Sequence, residues 1–138
     1  MKKHAATLLI LLLVALTGLG NAQTITTMIR AQVPFDFIVN GKTMPAGECT
    51  IIAENDGTRV LWVASGDERA YVLPTSTQSR DASTETNLVF RKYGDRYFLA
   101  RINREGSSFG YKLPASKLER ELARNNTEKV VALLAFAK

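Results

Sequence analysis

The chain has little of the side-chain chemistry that most enzymes use, since it holds one histidine and one cysteine among 138 residues. The histidine, His4, lies at the extreme N-terminus, so the rest of the chain has no imidazole. This excludes general base catalysis by histidine, a Ser-His-Asp triad and histidine metal sites there. One cysteine also excludes an intrachain disulfide and a structural zinc site. We therefore expect no cofactor and no metal, and the composition favours a non-enzymatic role.

The single cysteine, Cys49, alternates with Ile51 in a run typical of a strand. This spacing predicts a small, buried, apolar side chain. The alternative is a thiol that pairs with a second chain.

Long hydrophobic runs are also lacking. The longest, Ala5 to Leu16, is shorter than the roughly 20 apolar residues that a membrane-spanning helix needs. Lys2 and Lys3 precede it, and the small residues Gly20 and Ala22 follow it. This order is typical of a secretory signal peptide that is cleaved after Ala22.

The sequence thus predicts a signal peptide over residues 1–22 and one β-rich domain over residues 23–138, with no transmembrane span in the mature chain. We expect export through the inner membrane to the periplasm or beyond the cell. Removal of Lys2 and Lys3 lowers the net charge of +5. The remaining basic residues are spread among acids and form no clustered basic face, which argues against a nucleic-acid partner.

Short alternating runs separated by turn signals predict an all-β, mainly antiparallel domain, a small sandwich or barrel of about eight strands. Asn40-Gly41 is a hairpin signal within it, and residues 86–103 form the clearest hairpin. Apolar residues on both faces of Thr58 to Ala64 predict a central, well-buried strand. The polar stretch Thr75 to Glu85 predicts a surface loop.

One short helix is expected near the C-terminus. Ser116 and Glu119 have capping-box spacing, and Leu118 and Leu122 form a narrow apolar stripe behind them. Residues 130–136 are apolar on both faces and predict a buried closing strand, although a helix is an alternative for so short a run.

Arginines and tyrosines cluster around the hairpin of residues 86–103. Arg91, Tyr93, Tyr97 and Arg101 are the candidate ligand-binding residues, since aromatic rings beside guanidinium groups can stack on sugars or bind peptides. The alternative is that the rings belong to the core and the arginines keep the edge soluble. A binding role predicts a partner in the cell envelope, either glycan or protein.

Two other functions stay open. A small glycan-directed hydrolase needs only two carboxylates at the right separation, and the chain has 13 acids, but no motif marks a pair. A purely structural component of the cell envelope needs no site. No catalytic residue is assigned.

Three segments carry a resemblance to a known group of proteins: residues 33–48 (VPFDFIVNGKTMPAGE), 88–99 (LVFRKYGDRYFL) and 113–123 (LPASKLERELA). In this order they resemble the motifs of an uncharacterised family of small exported β-rich proteins of soil acidobacteria. The resemblance implies export and a compact β domain, and it implies no activity. Cys49 departs from the family, which favours an aromatic residue there.

Overall fold

The computed structural model describes residue 20 and residues 26–54 and 59–137. Apart from Gly20, the predicted signal peptide and its cleavage site lie outside the described residues. The described residues form the following elements: β1 (Thr26–Val33), β2 (Phe37–Val39), β3 (Lys42–Met44), β4 (Gly47–Glu54), β5 (Leu61–Ser65), β6 (Glu68–Val72), β7 (Thr75–Gln78), β8 (Asn87–Tyr93), β9 (Arg96–Asn103), β10 (Phe109–Lys112), α1 (Lys117–Asn125), β11 (Glu128–Leu134) and β12 (Phe136–Ala137).

Five strands form the first sheet, sheet I, in the order β12-β1-β4-β5-β6, with every neighbouring pair antiparallel. Its inner face carries the alternate apolar residues of each strand, such as Ile29, Ile51 and Val63. Strand alternation dictates this division, because successive side chains point to opposite faces.

The second sheet, sheet II, has the order β11-β8-β9-β10-β7. The short hairpin β2–β3 joins it through β2, which runs parallel to β9. Asn40 and Gly41 form the hairpin turn with φ of 50° and 78°, as their sequence predicts. Residues 34–36, which include Pro34, separate β1 from β2, and the chain passes there from sheet I to sheet II.

The two sheets pack face to face around one core. Phe37 and Phe90 of sheet II and Ile29 and Ile51 of sheet I are fully buried in it. The all-β class and the single late helix are therefore confirmed, and the sheets do not close into a barrel. Short strands such as β2 and β3 raise the strand number above the eight predicted.

Three predictions about single segments need correction. Residues 75–78 of the expected loop form β7, because their backbone pairs with β10 at the edge of sheet II. Strand β5 is central as predicted, but Trp62 on its outer face is 42% exposed. Strand β11 lies at an edge of sheet II, where Val130 and Leu134 are exposed.

Helix α1 begins as the capping box predicts. The Ser116 side-chain oxygen accepts a hydrogen bond from the Glu119 amide at 3.2 Å. The apolar side of α1, Leu118 and Leu122, packs on the outer face of sheet II against Ile38, Tyr93 and Phe98. The helix therefore covers sheet II and leaves the outer face of sheet I uncovered by any helix in the described part of the chain.

Candidate functional site

The structure places two of the four predicted ligand-binding residues beneath α1. The Arg91 Nε donates to the Glu119 carboxylate at 2.6 Å, and Glu119 is only 3% exposed. Tyr93 lies beside this pair with 6% of its surface exposed. Burial, followed by the negative charges of Glu119 and Glu128, raises the pKa of the Tyr93 hydroxyl above its ordinary value of 10.0.

The other two candidates lie elsewhere. The ring of Tyr97 stacks on Phe35 with 3.7 Å between ring centroids, and Lys92 Nζ lies 5.1 Å from the centroid of the Tyr97 ring. Arg101 is exposed and lines a separate cavity of about 130 Å³. The four residues therefore do not surround one open groove, and their role in binding stays a prediction.

Two acidic residues line one cavity at the turn end of the hairpin β8–β9. Asp36 and Asp95 line the same cavity of about 270 Å³, beside Arg96 and Tyr97. One Asp36 oxygen accepts a hydrogen bond from the Ala46 amide at 2.8 Å, so this carboxylate also holds the local chain path. Within the described residues, no group of three or more His, Cys, Asp or Glu side chains could hold a metal ion.

A further cavity, of about 510 Å³, opens at the end of the sheets where β5 and β7 begin. Its lining is mixed, with Leu61 and Pro74 beside the hydroxyls of Ser76 and Tyr111. Arg59 at its edge has a positive φ of 55°, which is uncommon for a residue with a side chain.

The most unusual surface lies on the outer face of sheet I. Trp62 and Tyr71 sit opposite each other on β5 and β6, with 5.5 Å between ring centroids and 52° between the ring planes. Their exposed fractions are 42% and 63%. The strand register continues this row through Ile52 on β4 to Met28 on β1. We call these four residues, Met28, Ile52, Trp62 and Tyr71, the aromatic face.

The next row on the same face is cationic at two positions. The register places Arg30, Thr50, Ala64 and Arg69 opposite one another on β1, β4, β5 and β6. Both arginines are exposed, and Phe136 of β12 pairs with Arg30 at 75% exposure. We call Arg30, Thr50, Ala64 and Arg69 the arginine row.

The free edge of β6, next to the aromatic face, is capped by the hairpin β2–β3. Asn40 Nδ2 donates to the Tyr71 carbonyl at 3.1 Å, and Lys42 Nζ donates to the Arg69 carbonyl at 2.9 Å. Lys42 also pairs with Glu68 at 2.8 Å. These hydrogen bonds use carbonyl groups of β6 with which an added strand would have to pair. A partner is therefore more readily bound on the outer face of sheet I than along the edge of β6.

Sequence reasoning missed the aromatic face because β5 is apolar on both sides. That pattern is typical of a strand covered on both faces, and only the packing of α1 on the other sheet shows which face is bare. The available signal was the spacing of Trp62 and Tyr71 around the turn at Gly66, which places them opposite each other in a two-residue hairpin.

No family model, curated protein or solved structure matches this chain. None of the described helices is long and apolar enough to cross a membrane.

Proposed function

We propose that this protein is an exported, non-enzymatic binding domain that holds a partner of the cell envelope on the aromatic face. The observation that carries the proposal is the side-by-side exposure of Trp62 and Tyr71 on a sheet. Large rings are normally buried in folded domains, and an exposed cluster of them marks an interaction surface. The signal peptide that the sequence predicts supports a partner outside the cytoplasm.

The scaffold suits this role because it holds the rings in place before binding. Trp62 lies on a strand that has hydrogen-bonded neighbours on both sides, and Tyr71 lies on a strand whose edge is capped. Rings held on a rigid sheet lose little conformational entropy when a partner binds.

The test compares Trp62→Ala and Tyr71→Ala with Phe109→Ala, an exposed ring on sheet II that serves as a matched control. Each purified protein is screened on a glycan array and against envelope extracts by pull-down. We expect the first two variants to weaken binding about tenfold or more and the control to leave it unchanged, since an interface ring often contributes over 1 kcal/mol. If all three variants bound as well as the parent protein, or if the parent protein bound nothing in either screen, the result would contradict the proposal.

A carboxylate-based hydrolase is the second candidate, and the cavity shared by Asp36 and Asp95 favours it. Glycosidases use two such carboxylates, one of them as the general acid. If this function holds, the protein releases reducing ends from envelope glycans and Asp95→Asn abolishes the release. Release that survives Asp95→Asn, or no release from any glycan, would rule out this cavity as an active site.

A further inference from the structure

We propose that the aromatic face and the arginine row together bind an anionic polysaccharide, with sugar rings on Trp62 and Tyr71 and carboxylates on Arg30 and Arg69. This inference rests on the proposed function, because it names the partner of the same surface. It adds the class of ligand and the residues that select it.

The arginine row has the shape of a shallow strip. Its two inner positions, Thr50 and Ala64, are small, whereas Trp62 and Ile52 rise beside them in the neighbouring row. The strip crosses the strands, and three strand spacings, roughly 14 Å, separate the backbones of Arg30 and Arg69. An extended polymer lying in the strip would therefore meet one guanidinium near each end and the aromatic rings along one side.

The guanidinium groups are available for a ligand. Among the side chains that the structure describes, the ion pairs are Lys42–Glu68 and Arg91–Glu119, and neither includes Arg30 or Arg69. Two acids flank this row: Glu48, which lies opposite Gln32 in the adjacent row, and Asp67, an exposed residue of the turn two positions before Arg69. The row itself carries two positive charges and no acid, so a ligand that places its carboxylates directly on Arg30 and Arg69 is favoured over a cationic one.

The chemistry of the two rows selects a polysaccharide over other polymers. The C–H face of a sugar ring packs on an aromatic ring, and a carboxylate accepts two parallel hydrogen bonds from one guanidinium. A nucleic acid would also stack on the rings, but its closely spaced phosphates require a clustered basic surface. Two arginines separated by roughly 14 Å of sheet do not provide one.

The ligand pair for the test is polygalacturonate and its fully methyl-esterified form, which share a backbone and differ in charge. Binding to the full-length protein is measured by calorimetry at low and high salt. We expect polygalacturonate to bind about tenfold more tightly than the ester at low salt, and this preference to shrink at high salt. Arg30→Gln and Arg69→Gln should each raise the dissociation constant for polygalacturonate about three- to fivefold.

Arg124, an exposed arginine on α1, supplies the matched control, and Arg124→Gln should leave the affinity for polygalacturonate unchanged. Trp62→Ala should weaken the binding of both polysaccharides. The thermal unfolding midpoint of every variant is measured to verify that it is folded. Equal affinity for polygalacturonate and its ester, with both lost in Trp62→Ala, would overturn the anionic preference and keep the proposed function. Absence of binding to both polysaccharides would overturn this inference, whereas the proposed function would fall only if the glycan array and the pull-down also showed no binding that depends on Trp62.

Two further outcomes would also overturn the inference. One is tighter binding of a single-stranded oligonucleotide than of polygalacturonate with the same dependence on Arg30 and Arg69. The other is a concentration-dependent dimer in sedimentation that Trp62→Ala dissociates, because the aromatic face would then be covered by a second copy of the chain.

Discussion

The ion pair between Arg91 and Glu119 shows how single residues fix the helix to the sheet. Glu119 serves α1 twice, since its amide donates to the Ser116 cap and its carboxylate binds Arg91 across the interface. The Arg91 Nη2 is buried and has no hydrogen-bond partner among the described residues. The Glu119 carboxylate therefore neutralises a guanidinium that water reaches only in part. Without this carboxylate, the positive charge of Arg91 would be partly buried and unpaired, which is unfavourable.

We expect Glu119→Gln to lower the free energy of unfolding by about 2–4 kcal/mol, somewhat below the range for a fully buried pair because Arg91 is partly exposed. The double variant Arg91→Met with Glu119→Leu should lose less unfolding free energy than the sum of the losses in the two single variants. Urea denaturation gives the unfolding free energy of each variant. Glu121→Gln on the exposed side of α1 is the control, and a loss equal to that of Glu119→Gln would contradict the explanation.

Cys49 gives the protein a pH dependence in alkaline solution. Burial raises the pKa of its thiol from 9.0 to about 12. Well below pH 9 the thiol is protonated in both the folded and unfolded states, so the free energy of unfolding does not depend on pH through Cys49 there. As the pH rises toward 12, the unfolded thiol ionises first, and stability falls by up to about 1.4 kcal/mol per pH unit.

We expect Cys49→Ala to remove this part of the slope when unfolding free energy is measured between pH 8 and 11. Tyr93, whose pKa is also raised, adds to the slope in both proteins and cancels in the comparison. Native protein should also resist a thiol reagent, because Cys49 is fully buried. Rapid labelling, or a disulfide-linked dimer on a non-reducing gel, would favour the alternative of an intermolecular thiol.

Among the elements, β10 shows how close packing limits the sequence. Gly110 lies in β10 between β9 and β7, and a Cβ atom there would lie 2.9 Å from Asn103 Oδ1 and 3.0 Å from the Ile102 carbonyl oxygen. The Asn103 amide can rotate away only by giving up the hydrogen bond that its Nδ2 donates to Asn87 Oδ1 at 2.9 Å, and the carbonyl belongs to the backbone of the neighbouring strand. A Cβ atom at this position would therefore be overpacked, and the neighbouring strand would have to shift by a few tenths of an ångström to admit it.

We expect Gly110→Ala to lower the free energy of unfolding by about 1–3 kcal/mol, the usual cost of overpacking. Hydrogen exchange should show the loss of protection concentrated in β7 and β10. Ser76→Ala, at an exposed site on β7, is the control. If Gly110→Ala were as stable as the parent protein, the sheet would have to be looser than the structure shows.

The whole molecule is expected to unfold as one unit because its two sheets share one core. Phe90 of sheet II contacts Phe37 and Phe35 edge to face, and Ile29 and Ile51 of sheet I belong to the same cluster. Neither sheet can keep its inner face buried without the other. A second, smaller cluster under α1 depends on sheet II alone.

The single tryptophan, Trp62, reports on sheet I, whereas far-ultraviolet circular dichroism reports on both sheets. We expect the two signals to give the same midpoint in urea, as two-state unfolding requires. The comparison can be repeated with Phe90→Ala, which should cost about 3–5 kcal/mol and shift both signals together. An earlier transition in tryptophan emission would mean that sheet I unfolds separately.

The sequence predicted those features that depend on neighbours along the chain. Alternation identified the all-β class, Asn40 and Gly41 identified a hairpin, and Ser116 with Glu119 identified the start of α1. The sequence did not reveal β7, because Thr75–Gln78 has no apolar pattern and becomes a strand only by pairing with β10. The sequence grouped Arg91, Tyr93, Tyr97 and Arg101 as one candidate site, whereas in the structure their strand faces and the position of α1 separate them.

By itself, the sequence determined which side chains share a face of each strand and which chemistry the chain lacks. Those properties follow from covalent geometry and composition, which need no distant contacts. Only the tertiary structure decided which outer face is covered, because α1 packs on sheet II through contacts between residues far apart in sequence. Because α1 covers sheet II, Trp62 and Tyr71 stay exposed on sheet I. The surface proposed for binding therefore results from the packing of distant elements and not from a local motif.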